Sequence, residues 1–183
     1  QNLLRSINVK TKYPITNAMI LMDSSRTLTV TKASEQQYFI KMYSMETQEL
    51  QFEEEFSGTY IKMKDVETNG SSTEFAVVFN DDGVFKLRTF GRDTRTPDQI
   101  RASEVNLNEL IGIDDKTMAV SNFPDPFVTC CFVQEKVLFI NLFYSYECTH
   151  YHFYFDFESR KILGQVKSMV IGTSKKNFPY KCC

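Results

Sequence analysis

Cys148, His150 and His152 lie at alternate positions, which gathers the soft-metal ligand types of this chain in one place. Residues i and i+2 of an extended strand project from the same face, so two imidazoles spaced in this way can share a zinc ion. The stretch, however, enters an aromatic strand from the turn between Tyr144 and Tyr151, which separates the thiol from the rings, and no fourth ligand is evident. A surface turn is the stronger reading. The same two residues are the chain's only histidines, and neither sits in a recognisable catalytic motif. No Gly-x-Ser-x-Gly elbow, phosphate-cradling glycine loop or His-Glu-x-x-His pair is present. The expectation is a protein without catalytic residues, cofactor or metal, with scattered acids such as Asp23, Asp82 and Asp125 left as a minor catalytic route.

The remaining chemistry-bearing residues follow the same pattern. Cys130-Cys131 and Cys182-Cys183 are adjacent pairs in extended-looking stretches, so one thiol of each pair should pack as a small apolar group while the other faces away. Five cysteines match no disulfide or zinc framework and point towards reduced thiols inside a cell, the compartment otherwise staying open. Asn80-Asp81-Asp82-Gly83 partly resembles a calcium loop, but it lacks the later acidic ligand and reads as a tight hairpin turn. Asn69-Gly70-Ser71 is a glycosylation sequon within a turn-rich segment, and the turn reading is preferred.

The strongest candidate for a contact surface is basic. Lys86, Arg88, Arg92, Arg95 and Arg101 run through a stretch whose Gly91 and Pro97 mark an exposed excursion. An acidic counterpart, Glu46, Glu49 and Glu53-Glu54-Glu55, lies upstream. A formal net charge of −2 argues against whole-molecule attraction to nucleic acid or anionic membranes, and no apolar run is long enough to span a bilayer as a helix.

The elements that must carry these residues are strands. Sixteen Phe and nine Tyr, with many Val, Ile and Thr, occur in short runs broken by Gly, Asn, Asp and Ser, and helical periodicity is nearly absent. Even Asn106–Ile111, the best helix candidate, is short enough to read as extended. Three apolar runs, starting at Ala18, Phe75 and Phe127, begin 57 and then 52 residues apart, and each leads through a polar turn into another strand. Third strands recur at Tyr38–Leu50, Gln99–Leu110 and Tyr151–Leu163, and fourth strands at 52–63, 117–120 and 166–171.

Four antiparallel strands per unit resembles the blade of a β-propeller, the broad class that includes Trp-Asp and kelch repeats. No Trp is present and no double-glycine motif, so no particular family is named by the resemblance. It implies an all-β chain of about three blades, with units at 13–66, 73–120 and 123–172 and a further blade starting at 178–183. Propellers close with about four to eight blades, so the resemblance also implies a larger ring, completed by further blades or by copies of this piece. The competing fold is a single up-and-down β-barrel of lipocalin type, which would place an apolar ligand among the inward aromatics of Tyr151–Phe157. The functional expectation is a non-enzymatic protein–protein interaction scaffold whose partner is another protein or further blades. A propeller hydrolase or sugar-binding protein is the other alternative.

Overall fold

The computed structural model describes residues 8–20, 25–59, 61–71, 74–92, 100–112, 127–144 and 149–169. They form three separate four-stranded antiparallel sheets, each in simple meander order. The first contains β1 (Ile15–Ile20), β2 (Arg26–Ser34), β3 (Gln37–Ser44) and β4 (Leu50–Ser57). The second contains β5 (Ile61–Thr68), β6 (Glu74–Asp81), β7 (Val84–Arg92) and β8 (Ile100–Asn106), and the third β9 (Phe127–Gln134), β10 (Val137–Tyr144), β11 (Thr149–Asp156) and β12 (Lys161–Met169). The sheets do not close on one another as a barrel, so the lipocalin-type alternative and its interior ligand cavity are set aside.

Two cores lie between the sheets, and the side-chain alternation of β6 explains both. Phe75, Val77 and Phe79 point to the first sheet, where they join Leu28, Val30, Ile40 and Phe56. Ala76 and Val78 point the other way, into a core with Leu138, Ile140, Phe153 and Phe155 of the third sheet. A strand covered on both faces reads as an unbroken apolar run.

That double burial corrects the register of the middle unit. Phe75–Phe79 is the second strand of its sheet, not the first. The opening strand is β5, whose Lys62, Lys64, Asp65 and Glu67 make it too polar to stand out in the sequence. The stretch 52–63 accordingly divides between the close of the first sheet and the start of the second, and residues 61–66 belong to the second. Gln99–Leu110 contains the fourth strand of that sheet, β8, where the sequence suggested a third. The expected strand at 117–120 and the further blade at 178–183 lie outside the described residues.

Residues Leu107–Leu110 form a single helical turn, α1, where an extended segment was expected. Asn106 caps it by accepting from the N–H groups of Asn108 and Glu109, and Leu107 is fully buried in the second core. Capping by Asn together with burial of one leucine closes a turn that periodicity could not reveal. Asn108, also fully buried, accepts from the Phe85 N–H.

Two tight spots fix how the first two sheets meet. Asp82 and Gly83 both have positive φ, 50° and 93°, the pairing that a two-residue hairpin between β6 and β7 demands. The crossover from β4 to β5 then passes directly against this hairpin. A Cβ on Gly58 would lie 2.3 Å from Asp81 Oδ1, and the neighbouring Thr59 N–H donates to that same oxygen at 3.1 Å.

Candidate functional site

The basic stretch is built into the junction between the first two sheets. Arg88 projects from β7 towards the first sheet and forms ion pairs with Glu54 at 2.9 Å and Glu104 at 2.7 Å. Its guanidinium stands 4.2 Å from the centre of the Phe56 ring and 5.7 Å from that of Phe79, and it also donates to the Glu55 carbonyl. Arginine suits this position because its planar, weakly hydrated head stacks on rings while its N–H groups meet carboxylates. Lys86 pairs with Asp81 and Glu104 at 3.1 and 3.6 Å. Arg92 and Arg101 sit at the far end of the β7–β8 hairpin, where Arg92 is paired with Ile100 and Arg101 with Gly91. Arg95 lies outside the described residues.

The acidic stretch serves the same junction. Glu54 reaches Arg88, while its neighbours stay within the first sheet, Glu53 pairing with Lys41 and Glu55 accepting from Gln37. Of the complementarity visible in composition, the Arg88–Glu54 pair is an intramolecular contact between blades.

A second polar latch joins the second and third sheets. The amide of Asn69, fully buried, donates to the carbonyl and carboxylate oxygens of Glu135, and its Oδ1 accepts from the Glu74 N–H at 3.1 Å. Ser71 adds a hydroxyl donated to Glu135, and Lys136 reaches back to Glu74. A sequon asparagine held in this way leaves no room for a glycan on its nitrogen in the folded chain, which agrees with the turn reading.

The other candidates resolve individually. Asn80 Oδ1 accepts from the Gly83 N–H and closes the hairpin turn. Cys130 is buried and Cys131 exposed, as strand alternation requires. Burial pushes the Cys130 thiol well above its ordinary pKa, with Asp65 and Glu67 adding to the effect, and the Cys131 thiol is raised by the same causes. Neither is poised as a nucleophile. Asp23, Asp125 and Cys148 lie outside the described residues, and among those described no group of three or more His, Cys, Asp or Glu could hold a metal ion. A cleft of about 160 Å³ between the end of α1 and the β11–β12 pair falls below the roughly 300 Å³ at which small-molecule pockets begin.

The sequence singled out His150, His152 and the aromatics that follow them, but not which of them form the outer face of the third sheet. Strand β11 has rings on both faces: Tyr151, Phe153 and Phe155 turn towards the second core, whereas His150, His152 and Tyr154 turn away from it. Register places Phe143 beside His150, Asn141 beside His152 and Phe139 beside Tyr154. The rings form a continuous row in which three of the four contacts are stacked and the Phe139–Tyr154 contact is tilted. Centroid separations are 4.3 Å for Phe143–His150, 5.5 Å for His150–His152, 6.0 Å for His152–Phe139 and 5.3 Å for Phe139–Tyr154. The two imidazoles are parallel to within 1°. Around this row Phe127, Tyr154 and Val166 are 51, 46 and 63% exposed. Burial among the rings, followed by the neighbouring His152, lowers the pKa of His150, so His150 favours its neutral form. The sequence signal was present as aromatics at consecutive positions of one strand, a pattern that sheet alternation gives only when both faces are apolar.

No protein-family model matches the chain, and no curated protein matches it. Solved structures do. Kluyveromyces lactis Hsv2 superposes with a TM-score of 0.54 at 12% identity, covering 85% of this chain and 48% of that one. The β-propeller domain of Myceliophteria thermophila Cps50 (Swd1) gives 0.51 at 12% identity, covering 85% and 41%. The β-propeller domain of the Trilobed protease from Pyrococcus furiosus gives 0.53 at 10% identity, covering 89% and 46%. The chain thus spans somewhat less than half the length of these propellers, and identities this low speak to fold alone. Three consecutive four-stranded sheets, packed face to face through two cores and superposing on propellers of separate origin, make this a β-propeller-type repeat protein.

Proposed function

We propose that this chain is a non-enzymatic protein–protein interaction scaffold that presents the outer face of its third blade to another protein. The observation that carries the reading is the row Phe143, His150, His152, Phe139 and Tyr154, bordered by exposed Phe127 and Val166. A face rich in rings, with no Lys or Arg among the described residues beside the row before Lys161 opposite Asp156 at its end, has the composition of an interface centre. It also lies on the reverse of a sheet whose other face already packs against a blade. The propeller fold, which commonly serves as a scaffold, agrees with this reading without specifying it.

A photo-crosslinking side chain at Tyr154, compared with one at Leu50 on the edge of the first sheet, tests the proposal. Both positions are exposed to a similar degree. Protein adducts formed from Tyr154 and not from Leu50 are expected. Equal yields, or none from Tyr154, would contradict it.

A further inference from the structure

We infer that His150 and His152 together chelate a divalent transition ion such as zinc, with water completing its coordination. The inference goes beyond the scaffold reading and does not depend on it, since it concerns two side chains of one strand and needs no partner.

The turn expected to carry these residues ends before them. Both half-buried imidazoles lie inside β11, two positions apart and therefore on one face of the strand, the spacing at which two rings can reach a single ion. Their separation fits as well. A zinc–nitrogen bond of about 2.0–2.1 Å puts the ion roughly 3.2 Å from the centre of each ring, so two rings meeting it at a tetrahedral angle have centres about 5.2 Å apart. The two centroids are 5.5 Å apart. The strand thus already provides the spacing, and side-chain rotation out of the parallel arrangement supplies the aim.

The neighbours favour the same use. Phe143 stacks on His150 at 4.3 Å and Phe139 on His152 at 6.0 Å, which brackets the pair and limits where each ring can go. Asn141, opposite His152 in β10, places its Oδ1 3.5 Å from His150 Nδ1. A carbonyl oxygen only accepts, so this contact puts the His150 proton on Nδ1 and leaves the Nε2 lone pair for a metal. Ligating histidines are ordinarily oriented by an outer partner of this kind. From β12, Ser168 lies opposite His150 and Val166 opposite His152, and neither brings a positive charge. Among the described residues no thiolate or carboxylate joins the two imidazoles as a third ligand. Such a site holds an exchangeable ion rather than a structural one, and imidazole ligands select zinc, copper and nickel over magnesium and calcium.

The test follows the imidazole C–H resonances of the full chain by nuclear magnetic resonance, under reducing conditions, as Zn(II) is added. The sequence holds two histidines, so two ring systems are assigned. Both are expected to shift along one common binding curve. His150→Gln and His152→Gln should each weaken the response of the ring that remains at least tenfold, because chelation is lost. Asn141→Ala, which removes a positioning residue, should redistribute His150 between its tautomers, read from the ring nitrogen shifts, and weaken zinc binding about tenfold. Zinc uptake by thiols that leaves both imidazoles unmoved overturns the inference, as does a shift confined to one ring or a single Gln variant whose remaining ring responds with unchanged affinity. Crosslinking from Tyr154 reads the scaffold proposal separately, so either can fail without the other.

Discussion

Replacing Arg88 by Ala should cost about 2–3 kcal/mol of folding stability, because the side chain combines three kinds of contact, its Glu54 pair and its stacking on Phe56 reaching the first blade and its Glu104 pair staying within the second. Its ion pairs join it to Glu54 and Glu104, whose side chains are 30 and 37% exposed. Pairs exposed to that extent are worth about 0.5 kcal/mol each after screening. Stacking over Phe56 at 4.2 Å, from a side chain only 19% exposed, adds about 1 kcal/mol. The remaining fraction comes from the buried aliphatic stem. For a chain of this size, the sum corresponds to a melting temperature lowered by about 5–10 °C. Urea unfolding followed by circular dichroism and tyrosine fluorescence is the suitable assay, since the protein has no Trp. Arg88→Met, which keeps the stem but loses both ion pairs and the cation over the ring, should still lose about 2 kcal/mol. In a double-mutant cycle with Glu54→Ala, a coupling of several tenths of a kcal/mol should appear and shrink with added salt. A loss below about 0.5 kcal/mol for Arg88→Ala would refute the clamp and return this arginine to the pool of free, partner-seeking cations.

Asn69→Ala should destabilise by about 2–3 kcal/mol, because it strips a fully buried amide from Glu135 and leaves the Glu74 N–H without its acceptor; denaturant unfolding measures this. Expression through a secretory pathway should yield protein without a glycan at Asn69 by mass spectrometry. Alkylation mapped by peptide mass should label Cys131 slowly and leave Cys130 unmodified until the protein unfolds. For His150 the folded pKa lies below the unfolded value near 6.5, so the unfolded chain binds more protons in that window. Stability should therefore be full above about pH 6.5 and fall as pH drops towards the folded value, and His150→Gln should flatten a melting-temperature profile taken between about pH 7.5 and pH 5.

Much of this arrangement is legible in the sequence, and the places where legibility stops have physical causes. Hairpins such as Asn80–Val84 announce themselves through turn chemistry, and the split fates of Cys130 and Cys131 follow from the two-residue period of a strand. In the middle blade the apolar run marks a strand buried on both faces and not, as in β1 and β9, the first strand of its unit. In β6 that run belongs to the second strand, while the opening strand β5 carries its charges in plain view. Opposite charges at Arg88 and Glu54 could be matched by composition, but that they pair with each other, and thereby face inward, depends on blade stacking across 34 residues of chain. The aromatic face of β11 is the converse case. Rings at Tyr151, His152, Phe153 and Tyr154 show that both sides of the strand are apolar, yet only the third-sheet packing decides that the histidine-bearing side remains outward.

Hydroxyl-radical footprinting of Phe139 and Tyr154, with the chain alone and in a cell extract that supplies partners, tests the central claim most directly, since it reads the face itself. The account predicts that both rings are oxidised readily in the chain alone and become protected in the extract, and that Tyr154 stays reactive throughout in Phe139→Glu. Equal oxidation with and without the extract, or protection that persists in the variant, would contradict the assignment of this face as the interaction surface.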